Sequence, residues 1–145
     1  MRLNFRYFYY FGFISLFLVS CIEDKTKQEH QIFQVLNDQT DAWNKGDIKG
    51  FMDGYERSDS LQFITRKGRT LGWQNVLDSY IKYYPTKKEM GKLHFKNMKI
   101  EPLSDNLAQA YGNWEVKSDT IYSGNFSLIM KNKPEGWKII IDHTW

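Results

Sequence analysis

The hydrophobic period of this chain shifts from mostly helical to strand-like between residues 84 and 93, and that shift limits its fold more than any other feature. Up to residue 84 apolar residues mostly recur every three to four positions, whereas from residue 93 onward they recur every second. Ile32, Val35, Leu36, Ala42 and Trp43 share one helical face over 29–45. Gly46 suits the position just past a helix end, and Asp47 offers a carboxylate cap to a second helix. That helix would carry Ile48, Phe51, Met52 and Tyr55 on one stripe, with Gly50 and Gly54 weakening it but allowing close packing. A short strand over 60–65 groups Leu61, Phe63 and Thr65, turns at Lys67-Gly68-Arg69 and returns to Leu71. Gly72-Trp73 opens a third helix, with Trp73, Val76, Leu77, Tyr80 and Tyr84 on one face until Pro85 stops it, and 86–89 reads as a charged loop.

Four strands follow. Leu93 and Phe95 are out of phase with Met98 and Ile100, which predicts a bulge or bend in a long first strand. Ala108, Ala110, Gly112, Trp114 and Val116 then share a face opposite Gln109, Tyr111, Asn113 and Glu115. Phe126, Leu128 and Met130 mark the next strand, which ends in the turn 132–136. In the last, Trp137, Ile139, Ile141, His143 and Trp145 alternate with Lys138, Ile140, Asp142 and Thr144. Helices first and a meander of strands afterwards is an α+β plan.

Ahead of this domain, Arg2 and Arg6 precede an apolar run over 7–19, small Ser20 and the only cysteine, Cys21. The run is shorter than the roughly 20 residues that span a bilayer core. Leu18-Val19-Ser20-Cys21 resembles the lipobox of bacterial lipoproteins. The resemblance implies a signal peptide over 1–20 and a lipidated Cys21 that serves, with residues 22–28, as a tether for the domain at 29–145. The expected partner of Cys21 is membrane lipid, and the expected location is the bacterial cell envelope, on the periplasmic side or the surface of the outer membrane. Glu23-Asp24 resembles the acidic cluster that accompanies surface export in some lipoproteins of the Bacteroidetes type. A lone cysteine forms no internal disulfide, so the domain folds on its core alone. Without Arg2 and Arg6, 18 basic residues face 17 acidic ones, a balance of +1 that argues against a nucleic-acid partner.

Within 29–145, the segments Ala42-Trp43-Asn44-Lys45-Gly46-Asp47, Gly72-Trp73, Ala110-Tyr111-Gly112-Asn113-Trp114 and Gly136-Trp137-Lys138-Ile139-Ile140, the last running on to Asp142-His143, resemble the nuclear-transport-factor-2-like (NTF2-like) superfamily. The nearest branch is the SnoaL-like, DUF4440-type group. The resemblance implies a cone: a curved antiparallel sheet wrapped around three helices from the N-terminal half, often with a ligand cavity at its open end. It also implies pairing of two copies through the outer sheet face. Relatives include isomerases, dehydratases and cyclases as well as noncatalytic binding modules, so fold alone does not choose among functions.

Chemistry in such a cone needs a carboxylate or imidazole tuned by an apolar wall, and a donor for an oxyanion. His143 shares the more apolar side of the last strand and is expected to point inward, where it would move a proton or give a ligand a hydrogen bond. Asp142 is expected on the opposite side. Tyr55 and Tyr80 are candidate hydroxyl donors, and Trp43, Phe51, Phe63, Trp114 and Trp145 are candidate walls for a ligand. Each of these also fits plain core packing. His30, His94 and His143 are dispersed without metal-ligand spacing, and no phosphate loop or cofactor fingerprint occurs. Three readings stay open. The first is an anchored protein that binds a small, largely apolar ligand. The second is an isomerase-, cyclase- or dehydratase-type enzyme using His143, and the third is a dimeric interaction module.

Overall fold

The computed structural model describes the backbone of residues 8–145 and the side chains from Lys25 onward. The start of the expected leader, 1–7, and the side chain of Cys21, the expected lipid site, lie outside the residues so described. Helix α1 runs over Phe8–Lys45, so residues 22–28 are helical, and Gln28 is already buried. Among the described residues, no helix is long and apolar enough to cross a membrane.

The inner stripe of α1 is Ile32, Leu36 and Trp43, all buried, together with Gln39. The C-terminus of α1 is fastened to the short helix Lys87–Met90 and to the sheet by two side chains. Trp43 Nε1 donates to the Met90 carbonyl at 2.9 Å, and Asn44 exchanges two hydrogen bonds with the backbone of Leu93. Helix α2, Ile48–Met52, is capped by Asp47, whose carboxylate accepts from the Gly50 N–H at 2.9 Å. It ends before Tyr55, which therefore does not lie on a helical stripe. A Cβ at Gly54 would collide with the Gln39 side chain, so this glycine lets the chain leave α2 close against α1.

Strands β1, Gln62–Thr65, and β2, Gly68–Leu71, form a hairpin whose turn is Arg66-Lys67, one residue earlier than the sequence suggests. Helix α3 is Trp73–Tyr83. The segment expected as a charged loop contains a fourth short helix, α4 at Lys87–Met90, because Thr86 and Glu89 form a reciprocal capping box.

The sheet is completed by β3 (Lys92–Ser104), β4 (Leu107–Lys117), β5 (Ile121–Lys133) and β6 (Gly136–Thr144). Its order is β2-β1-β6-β5-β4-β3, antiparallel throughout except for the parallel pair β1 and β6. The expected bulge in β3 falls between Lys96 and Lys99, with Asn97 at φ 52°. Such bulges bend a long antiparallel sheet. The curved sheet closes around α1, α2 and α3, burying Ala108, Ala110, Val116, Phe126, Leu128 and Met130 against them.

A register shift in the β5–β6 pair corrects the expected phase of β6. Between Ile129 and Met130 of β5 the partner skips from Ile141 to Ile139, which leaves Ile140 as the extra residue. The cause lies on the other side of β6. There Ile139 donates to the Gly54 carbonyl and accepts from the Glu56 N–H, both at 2.9 Å, before β1 takes over at Ile141. Two different partners meet on one strand edge, and the extra residue absorbs the mismatch. Trp137 and Ile139 point inward, but beyond the bulge the inward residues are Asp142 and Thr144.

Candidate functional site

The concave side of the sheet and the inner faces of α1, α2 and α3 form the walls of an open cavity of about 1310 Å³. An edge-to-face group of aromatic rings forms much of its wall. Trp43 meets Phe51 at 5.1 Å and Tyr84 at 4.9 Å between centroids, and Tyr80 meets Phe51 at 5.3 Å and Phe63 at 5.7 Å. These T-shaped contacts hold the rings with a specific geometry. Phe95, Trp114 and Phe126 line the sheet side.

One carboxylate stands in this apolar surrounding. Asp142 is only 4% exposed and lines the cavity. Tyr55 donates its hydroxyl to Oδ2 at 2.7 Å, and Thr144 donates to Oδ1 at 2.8 Å. Burial pushes the Asp142 carboxyl up from 3.8 to about 6, against the opposing pull of those two hydrogen bonds. Burial and the neighbouring Asp142 charge likewise hold the Tyr55 and Tyr80 phenols well above their usual range, so both stay protonated donors at neutral pH. A buried carboxylate that titrates near 6 beside neutral phenols is suited to accept a proton from a bound molecule or to orient its polar group.

The sequence places His143 inside the cone, and the structure corrects this. His143 is exposed on the outer side, its ring tilted against that of Trp145 at 4.7 Å between centroids, while Asp142, expected outside, is buried within. The bulge at Ile140 reverses the alternation and is the whole reason. Tyr55 and Tyr80 both line the cavity, Tyr55 held there by its bridge to Ile139. Trp43, Phe51, Phe63, Trp114 and Trp145 also line it, Trp145 at a more exposed position. The indole N–H of Trp114 is buried without an acceptor, over Gly124, where a Cβ would crowd it.

Asp142, which the sequence reading sets outside, is joined in the wall by Thr144 and Gln39, polar residues which that reading does not single out. Gln39 is 2% exposed and donates to the Phe51 carbonyl at 3.0 Å. A signal for Asp142 does exist in Ile139-Ile140-Ile141, where three consecutive β-branched residues cannot all alternate inward. Among the described residues no three His, Cys, Asp or Glu side chains converge as a metal site would require.

Three solved structures place these features among known proteins. An NTF-2 like protein of unknown function from Shewanella oneidensis MR-1 is 33% identical, with a TM-score of 0.77 over 79% of this chain and 96% of its own. An NTF2-like protein with a cystatin-like fold from Novosphingobium aromaticivorans superposes with a TM-score of 0.67 at 11% identity, covering 88% of this chain and 86% of its own. A ketosteroid isomerase-like protein from Erwinia carotovora atroseptica superposes with a TM-score of 0.62 at 12% identity, over 81% of this chain and 94% of its own. No protein-family model and no curated protein matches the chain.

Proposed function

The chain belongs to the NTF2-like superfamily, and on that premise we propose that its cone binds a small, largely apolar molecule whose polar group reaches Asp142. The observation that carries this reading is the aromatic cavity of about 1310 Å³ with one buried, hydrogen-bonded carboxylate in its wall. A folded core normally packs without such space, and ligand sites combine an apolar lining with a few placed polar groups. Titration of the purified 145-residue chain with the neutral fluorophore N-phenyl-1-naphthylamine tests it. Saturable binding is expected in the parent chain, with loss in Val116→Trp, which fills the cavity, if that variant keeps its unfolding transition. Absence of binding in the parent chain sinks the reading.

Asp142 supports a second reading, proton transfer on an enolisable carbonyl compound. A base works best when its pKa lies near the working pH, and this carboxyl titrates at about 6. Asp142 would take the α-proton, and the Tyr80 hydroxyl would donate to the developing enolate oxygen. The ketosteroid isomerase-like neighbour shares the fold at 12% identity, so it supports the scaffold and not the residues. Deuterium exchange into a cyclic ketone is the test. A rate that Asp142→Asn lowers by about 10²-fold or more supports it, and an unchanged rate refutes it.

Two further proposals concern where and with what the domain works. Leu18-Val19-Ser20-Cys21 supports lipid attachment at Cys21 and anchoring in a bacterial envelope. Mass spectrometry of Cys21, and release of Cys21→Ala from membranes, check it. Half-buried Ile129, Ile140 and Ile141 on the outer sheet face support pairing of two copies there, which sedimentation of the chain at several concentrations would detect.

A further inference from the structure

We infer that the ligand is an organic anion, an apolar body seated in the cone with a negatively charged group held at its mouth by the turn of the first hairpin. This rests on the binding reading above. The mouth is built from three segments: the hairpin 65–70, residues around α4, and the connection 118–120 between β4 and β5. Their charges are unequal. The hairpin brings Arg66, Lys67 and Arg69, all exposed, and no acidic residue. On the facing rim, Lys88 and Asp119 neutralise each other at 3.6 Å, and Glu89 is engaged in the capping box, accepting from the Thr86 N–H at 3.0 Å.

Among the described residues, none of the three hairpin cations meets a carboxylate. Arg69 reaches only the neutral Gln62 amide, at 3.4 Å, and Lys67 lies 5.3 Å from the Tyr83 ring. Three cations against one acidic group outside an ion pair is a local surplus in a domain whose overall charge is almost balanced. The hairpin also fixes the backbone that carries them. Thr65 Oγ1 accepts from the Lys67 N–H at 3.1 Å, and Gly68 takes φ +124°, which a side chain rarely adopts. Low-dielectric walls beneath a cluster of one charge sign concentrate its field on that side of the opening.

The cone is chemically polarised along its axis. Asp142, inside, repels an anion and would accept a hydrogen bond from a hydroxyl or a proton from an activated C–H, while the mouth attracts an anion. A ligand with a terminal carboxylate, sulfonate or phosphate would therefore enter body first. An amine would be drawn the other way, toward Asp142.

Calorimetric titration of the purified 145-residue chain with decanoate, 1-decanol and decylamine separates these cases, because the three share one apolar body. Decanoate is expected to bind about tenfold tighter than decanol, since several exposed ion pairs act together. That preference should shrink in 0.5 M NaCl and collapse to about twofold in the triple variant Arg66→Gln, Lys67→Gln, Arg69→Gln, while decanol affinity stays unchanged. Decanol or decylamine binding as tightly as decanoate overturns the inference while leaving the pocket reading intact. So does a preference that survives the triple substitution. If none of the three binds, the pocket reading falls and takes this inference with it.

Discussion

Replacing Asp142 by Asn isolates the electrostatic cost of the site. The folded state holds this carboxyl at about 6 against its ordinary 3.8, so the protonated form is the one that the fold favours. Below 3.8 both the folded and unfolded chains carry the proton and no penalty exists. As pH rises the unfolded chain ionises first, and stability falls until the folded-state carboxyl has also ionised, above about 6. At about 1.4 kcal/mol per pH unit the total loss is about 3 kcal/mol, most of it between pH 4 and 7. The asparagine variant has no such dependence. Its own hydrogen bonds add an offset, because the amide oxygen accepts from only one of Tyr55 and Thr144 unless the other hydroxyl rotates to accept from the amide nitrogen. That offset does not vary with pH. Urea unfolding of both proteins from pH 4 to 7.5 should therefore show the variant gaining on the parent by about 2 to 3 kcal/mol across the range. Parallel stability curves would refute the reasoning, since they would mean that Asp142 is hydrated like a surface carboxylate.

Tyr55→Phe removes one of the two hydroxyl donors that hold the Asp142 charge, so the upper end of the same pH dependence, set by the folded-state carboxyl, should move above 6, with a stability loss of about 1 kcal/mol at neutral pH. His143→Ala changes an exposed side chain outside the cone, and urea unfolding should register less than about 0.5 kcal/mol with probe binding unchanged. Gly124→Ala drives a methyl group against the Trp145 carbonyl and the Trp114 indole, and should cost about 2 kcal/mol or more in the same assay while weakening probe binding through the displaced wall.

Most of the fold is legible residue by residue. The inner stripe of α1, the Asp47 cap, the start of α3 at Gly72-Trp73 and the inward face of β4 all follow from periodicity and local capping chemistry. Such features depend on neighbours within a few positions. Thr86 and Glu89 also carry a readable capping box, masked by the charged composition around them. Tyr55 is less accessible, because α2 ends at Met52 and the segment beyond it pairs with a strand more than eighty residues away.

The amino-acid pattern by itself determined that helices precede a long antiparallel meander, that the interior is aromatic, and which faces of β4 and β5 look inward. Period and propensity suffice for that. Which of Asp142 and His143 enters the cone was decided only by the tertiary structure. The backbone at Gly54 and Glu56 occupies the edge of β6 at Ile139, β1 occupies it from Ile141, and Ile140 bulges between them. A one-residue shift in a strand exchanges every side chain beyond it between the two faces, so a contact remote in sequence selects the carboxylate and leaves the imidazole outside.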